Sequence, residues 1–216
     1  MIDPADITVT NLRDRIVMRL RGTRPGGDPL TAFLRDTPPE RHDVLRSAVP
    51  TNLTASAVLV PIVERPTGLT VLLTVRASHL KNHAGQISFP GGRLEPQDPG
   101  PWEAALRETE EEIGLGREFV THVGYLTDHM VISGFRITPA VGLVRPDFSL
   151  RLDPTEVADV FEVPLAFILD PANQVPRERH YHGTTVTIYD LPYQDRHIWG
   201  ATANMLVTLS RLLQEP

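Results

Sequence analysis

The stretch GRLEPQDPGPWEAALRETEEEIGL, residues 92–115, decides how the rest of the chain is read. Its second half, Trp102–Ile113, holds no glycine or proline and stops at Gly114, a residue suited to the left-handed position after a helix. At about 100° per residue, Trp102, Ala105, Leu106, Thr109 and Ile113 share one arc that should lie on a sheet. Glu108, Glu111 and Glu112 share a second arc partly adjoining the first, whereas Glu103 and Glu110 point elsewhere, where solvated glutamates belong. Two carboxylates ~4 Å apart repel by about 4 kcal/mol at an effective dielectric near 20, and by much less in water. A wet acidic helix face therefore explains the trio as simply as a bound cation does. A hard dication held by oxygen ligands would remove the repulsion, and Mg²⁺ or Mn²⁺ suits such a set.

Outward from this helix the chain is dominated by β signals. AVLVPIV (57–63) and LTVLLTV (69–75) are short β-branched runs around ERPTG, the pattern of a hairpin or of adjacent strands. VTHVGYL (120–126), FRITPAVGLV (135–144), VADVFEV (157–163) and TTVTIYDL (184–191) are further strands, and Ala201–Leu213 reads as a closing amphipathic helix. Strands mixed with few helices predict an α/β or α+β layered fold. Residues 1–50 carry one candidate helix near Asn11–Arg21, then the turn-rich Gly22–Pro29 and the pair Pro38–Pro39. They are read as an extension packed on a core of residues 51–216.

The 216 residues hold no cysteine, which excludes disulfides, thiolate zinc sites and cysteine nucleophiles. The formal charge of −6 lacks the basic footprint of a nucleic-acid binder, so no nucleic-acid partner is expected. No apolar run approaches the ~20 residues that span a bilayer, and the first residues are polar and acidic where a secretory signal would be basic and then apolar. No membrane partner is expected, and a cytoplasmic location fits. Association as a homodimer stays open.

From Arg107 onward the quoted stretch resembles the box of the Nudix hydrolases, G-x5-E-x7-R-E-U-x-E-E-x-G-U with U aliphatic: Arg107-Glu108, then Glu111-Glu112, then Gly114-Leu115. The chain departs from it in two ways. The span from Gly92 to Arg107 is one residue longer, with Asp98 near the place of the first glutamate, and Thr109 replaces the aliphatic residue after Arg-Glu. The preceding segment LLTVRASHLKNHAGQISFPGGR, Leu72–Arg93, resembles the extra motif of coenzyme A diphosphatases, a subfamily that tends to have the longer box. SGFRITPAVG (133–142), EVADVFEVPL (156–165) and IWGATANML (198–206) also look like that subfamily, so the resemblance covers residues 55–213, about three quarters of the chain.

This resemblance implies a Nudix fold, a mixed β-sheet sandwiched between helices, and metal-dependent hydrolysis of a small-molecule diphosphate, coenzyme A or an acyl derivative. Glu108, Glu111 and Glu112 would carry Mg²⁺ or Mn²⁺, with the carbonyl of Gly91 as a further ligand. Arg107 would brace the box by pairing with an acidic residue, for which Asp98 is the nearest candidate. The base would come from Glu111 or Glu112, or from the distal Glu156. Arg76, Lys81, Arg93 and Arg136 could read substrate phosphates, and His83 and Gln86 could touch substrate or pin their loop. Phe89 is expected in the core, and the run RERHYH (177–182) reads either as an anion-binding loop or as a solvated hairpin tip. Two alternatives remain: a Nudix hydrolase of another nucleoside diphosphate derivative (ADP-ribose, NADH or a modified nucleoside triphosphate), or a module that binds without catalysis.

Overall fold

The computed structural model describes residues 9–50, 52–131, 133–181 and 183–215. An eight-stranded mixed sheet forms the centre, and its long spine is the parallel pair of β1 (Thr54–Arg65) and β7 (Phe135–Val144). Both strands are β-branched and buried over most of their length, the composition expected of strands covered on both faces. β2 (Gly68–Arg76) returns antiparallel to β1 through a tight turn at 66–67, β5 (Val120–Tyr125) and β6 (His129–Val131) pair with β7, and β8 (Val157–Pro164) pairs with β2.

Alternate side chains of β1 enter two different cores. Ala57, Leu59 and Val63 pack with α4 (Pro101–Ile113), and Val58, Val60 and Ile62 pack with α1 (Val9–Leu20) and α6 (Gly200–Gln214). This period of two is what places the sheet between helices. The α+β Nudix architecture expected from the sequence is the one observed. A separate three-stranded antiparallel sheet, β9 (Val175–Tyr181), β10 (Thr184–Tyr193) and β11 (Arg196–Trp199), precedes α6, with the short α5 (Leu165–Leu169) before it.

The N-terminal stretch is more structured than its turn-rich sequence suggests. After α1, two short helices, α2 (Thr31–Arg35) and α3 (His42–Ser47), cover the three-stranded sheet, where Leu30, Phe33 and Leu45 meet Tyr181, Val186 and Ile188. Between α1 and α2 the backbone follows the domain. The Asp128 amide donates to the Gly26 carbonyl while the Gly26 amide donates to the Asp128 carboxylate, Met130 N–H donates to the Pro29 carbonyl, and Tyr125 N–H donates to the Thr23 hydroxyl at 2.8 Å. The run RERHYH is not a loop: Arg177–Tyr181 is edge strand in β9, with Arg177 paired to Asp190, and His182 lies outside the described residues. No helix among the described residues is long and apolar enough to cross a membrane.

Candidate active site

β1 and β2 pair only between Ile62–Arg65 and Gly68–Val71, and then they part. The opening is filled by a single segment, β3 (Ile87–Ser88) on β2 and β4 (Gly91–Arg93) on β1. This fork explains the glycine pair. A Cβ on Gly91, whose φ is 147°, would stand 2.4 Å from the carbonyl oxygen of Ala57, and one on Gly92 would stand 2.4 Å from the carboxyl carbon of Glu108. No other residue fits at Gly91 without moving backbone, and Gly92 is the floor under the Glu108 carboxylate.

α4 lies across this fork. It starts with Pro101 at its first position and ends at Gly114 in the left-handed conformation (φ 69°). Thr109, at the position the box reserves for an aliphatic residue, is fully buried with its hydroxyl on the Ala105 carbonyl at 2.6 Å. Because that bond is made inside the helix, the substitution leaves no polar atom unpaired. Glu110 lies outside the cluster, as the periodicity indicates, but it binds Arg117 at 2.5 Å rather than water alone.

Arg107 joins the acidic groups. Its Nε and Nη2 donate to the two oxygens of Asp98 at 3.1 and 3.0 Å, and its Nη1 donates to Glu108 at 2.9 Å and Glu111 at 3.1 Å. Asp98 also accepts the Glu95 amide at 2.8 Å. The guanidinium holds the Asp98 carboxyl below its ordinary range, and the carboxylates in turn raise Arg107 further. The longer box is thus closed by a shorter acid, with the two-point contact that a guanidinium and a carboxylate favour.

Glu112 is set deepest, 4% exposed, with one oxygen accepting the Gly91 amide at 3.1 Å and the other 3.9 Å from the Arg76 guanidinium. Burial pushes its carboxyl up to about 8, against the opposing pull of the Gly91 amide and Arg76, and the charges of Glu156 and Glu108 push in the same direction as burial. Glu108 is raised by burial against Arg107, with Glu111 and Glu156 adding to the rise. Glu156 is therefore close enough for its charge to act on both residues. The Glu156 carbonyl also accepts the Ala77 amide, which ties its segment to the end of β2.

Among the described residues no three acidic or histidine side chains already converge as an ion cage, because Glu108 and Glu111 rest on Arg107. The donor set still fits a hard divalent cation. It is all oxygen, it is over-supplied with negative charge, and it includes a buried carboxylate with few donors, the state that an ion relieves.

The remaining candidates divide. Arg76 faces the carboxylates, and its Nε is buried without a partner among the described residues. His83 bonds Gln86 through Nδ1 at 2.9 Å and takes a positive φ of 57°, the geometry of a residue that pins its own loop, and Lys81 is exposed on that loop. Arg93 is exposed over the Phe135 ring, and Phe89 is core. Arg136 is not gathered to the glutamates: it binds Asp128 and the Gly27 carbonyl. Asp128, which no motif singles out, is 3% exposed and also accepts from Thr138 at 2.9 Å and from Gly26 at 3.2 Å. Likewise unforeseen, His79 contacts the Thr155 carbonyl at 3.1 Å, joining the loop after β2 to the segment of Glu156.

The NUDIX domain family matches residues 53–182. The chain is 37% identical over 182 residues to the uncharacterized Nudix hydrolase NudL of Salmonella typhimurium and, equally, of Salmonella typhi, covering 84% of this chain and 91% of theirs. Among solved structures it is similar to a Nudix hydrolase from M. smegmatis, RenU (TM-score 0.46, 22% identity, 53% of this chain and 73% of that one). It is also similar to the NUDIX domain of Shewanella oneidensis NrtR complexed with ADP ribose (TM-score 0.42, 19% identity, 63% and 83%). A sheet held between helices, a box helix lying across a glycine fork, the family match over residues 53–182 and the NudL relatives agree: the chain belongs to the Nudix family and is a Nudix hydrolase.

Proposed function

We propose that this hydrolase cleaves the diphosphate of coenzyme A or acyl-coenzyme A, giving 3′,5′-ADP and 4′-phosphopantetheine or its acyl form. One observation carries the reading. Arg76, from the upstream stretch that resembles the coenzyme A subfamily, is in contact range of Glu112 of the box, so that stretch forms a wall of the carboxylate site itself.

In this reading Glu108, Glu111 and Glu112, with the carbonyl of Gly91, hold Mg²⁺ or Mn²⁺. A cation held by these residues would supply Lewis-acid polarisation of the phosphoryl oxygens, a lowered pKa for a water and stabilisation of the leaving phosphate. Asp98 fixes Arg107 so that its remaining nitrogen orients Glu108 and Glu111. Arg76 meets a diphosphate oxygen, with Lys81 and Arg93 available at the rim for further phosphate charge. A carboxylate takes the proton of the attacking water. Glu156 is the distal choice, supported by its charge raising the carboxyls of Glu108 and Glu112, while Glu111 and Glu112 are the choices within the box.

The test is turnover of a panel of diphosphates with Mg²⁺ or Mn²⁺, the products weighed by mass spectrometry. Coenzyme A should yield the two named fragments. Turnover of ADP-ribose or NADH without coenzyme A would refute the substrate, and no turnover of any compound would point to a binding module. Comparison with 3′-dephospho-coenzyme A reads out whether basic residues engage the 3′-phosphate.

A further inference from the structure

α4 ends in carbonyls that the helix itself cannot satisfy, and the chain between β7 and β8 answers two of them. The Arg151 amide donates to the Ile113 carbonyl at 2.9 Å, and the Asp153 amide donates to the Glu112 carbonyl at 2.9 Å. The approach is close. A Cβ on Gly114 would stand 2.9 Å from the Arg151 nitrogen, so the helix has to end in glycine for this segment to lie against it. Glu112 is thereby held at two points, with its carboxylate on the Gly91 amide and its carbonyl on Asp153.

From the same residue the chain turns directly into Glu156. The Asp153 carbonyl accepts the amides of Glu156 at 3.1 Å and Val157 at 2.9 Å. Its Oδ1 accepts the Thr155 amide at 2.8 Å and the Thr155 hydroxyl at 2.7 Å. Pro154 stands inside this turn, its φ restricted by its ring. Beyond the turn, the Glu156 carbonyl takes the Ala77 amide at 2.8 Å. Asp153 thus uses its amide, its carbonyl and its carboxylate at once. The amide grips the box helix, and the other two shape the turn that carries Glu156. The charge of Glu156 raises the carboxyls of Glu112 and Glu108, so like charges face one another across this link. Such charges move apart unless the backbone beneath them is fixed.

We propose that Asp153 is a positioning residue of the hydrolytic site, whose carboxylate closes the turn on Thr155 and so holds Glu156 in place against Glu112. This rests on the reading above that Glu156 and Glu112 serve the same diphosphate hydrolysis. Asp153 touches neither substrate nor ion. Its side chain is needed as an acceptor for the Thr155 groups and not for its charge, so an amide oxygen in its place serves equally. Thr155 is exposed, and water takes over its bonds when the acceptor is lost, so the fold is kept while the placement of Glu156 is not.

The experiment compares Asp153→Ala, Asp153→Asn, Asp153→Glu, Glu156→Gln and the double variant Asp153→Ala/Glu156→Gln in the full chain with Mn²⁺. Kinetics are taken on whichever of coenzyme A, ADP-ribose and NADH the wild type hydrolyses. Expected for Asp153→Ala is a fall in kcat of about tenfold or more, with KM little changed. Asp153→Asn should restore kcat to within about threefold of the wild type, whereas Asp153→Glu, which keeps the charge but carries its oxygens past the Thr155 amide, should not. The double variant should be no slower than Glu156→Gln alone, because a residue acting through Glu156 then has nothing to act on. Without substrate, Mn²⁺ should raise the thermal midpoint of Asp153→Ala as much as that of the wild type. The proposal is overturned by near-normal kcat in Asp153→Ala or Glu156→Gln, by equal losses in Asp153→Asn and Asp153→Ala, or by additive losses in the double variant. A lost Mn²⁺ response in Asp153→Ala would also overturn it, by assigning the residue to the metal-holding glutamates. Absence of wild-type turnover on all three compounds would instead defeat the hydrolysis reading, and this inference with it.

Discussion

Two of the arginine–aspartate pairs in this molecule, Arg136 with Asp128 and Arg107 with Asp98, differ in one respect of their surroundings. Arg136 and Asp128 are balanced: a single carboxylate receives a guanidinium, a hydroxyl and an amide. Arg107 and Asp98 are not: one guanidinium serves Asp98, Glu108 and Glu111, with Glu112 and Glu156 beyond its reach but adding negative charge. The balanced pair fastens residues 26–27 to the segment between β5 and β7, whereas the unbalanced one leaves a deficit of positive charge that folding alone does not supply. A surplus of like charge gathered around the buried Glu112 marks a place prepared for something else to enter, and for this family that is a divalent cation.

The largest effect that would break this contrast is Glu112→Gln. It removes the buried charge but keeps the Gly91 contact, so kcat should fall by about 10²–10⁴ while the metal-free thermal midpoint holds or rises. A large loss of stability with near-normal activity would reverse the assignment of the two pairs. Next is Asp128→Asn, which leaves the Arg136 guanidinium facing a neutral group. Breaking such a pair costs about 3 kcal/mol of unfolding free energy, read by urea titration, with kcat of the folded fraction unchanged.

Divalent cation sharpens the contrast further. Mn²⁺ at about 100 times its dissociation constant should stabilise the wild type by about 2.7 kcal/mol. The Asp128→Asn protein should respond equally, and Glu108→Gln much less. Addition of EDTA should abolish both activity and this shift.

The smallest effect concerns pH. Burial lowers the His129 imidazole to about 4, against about 6.5 in an unfolded chain. Between those values only the unfolded chain takes up the proton, so this contribution is fully present above about pH 6.5 and is lost as pH falls toward 4. The loss is about 2 kcal/mol between pH 7 and 5, and His129→Phe should flatten that slope in urea titrations while leaving the metal response intact. An unchanged slope would remove His129 from the account.

What could be read in the sequence follows the reach of each physical signal. The strands from Thr54 to Arg76, Phe135 to Val144 and Val157 to Pro164 announce themselves by β-branched runs, and α4 by its period and its terminal glycine. β3 and β4 have two and three residues, too few for a periodic pattern, and two of the three in β4 are glycines. Their strand character comes from the parting of β1 and β2, which no local window contains. β9 was equally hidden, since Arg177, Glu178, Arg179 and His180 are all exposed and show no alternation. In the site, the box residues and Asp98 were legible from motif spacing. The approach of Arg76 to Glu112 and of Glu156 to both Glu108 and Glu112 depends on the pairing of β2 with β8, a long-range register. Asp128 had no motif around it, and its partners are Arg136 and Thr138 of the next long strand and Gly26 from the far N-terminal segment.

The docking of α1 has a practical consequence for anyone cutting this chain. The family match begins at residue 53, yet Leu12, Ile16 and Leu20 are 7%, 0% and 0% exposed in the same core as Val58, Val60 and Ile62. Removing such a leucine or isoleucine from its cover costs about 1.5–3 kcal/mol each, so a clone trimmed to the start of the matched domain would present a raw apolar face to water and to its neighbours. The start of the matched domain and the border drawn by solvent run through different places in this protein.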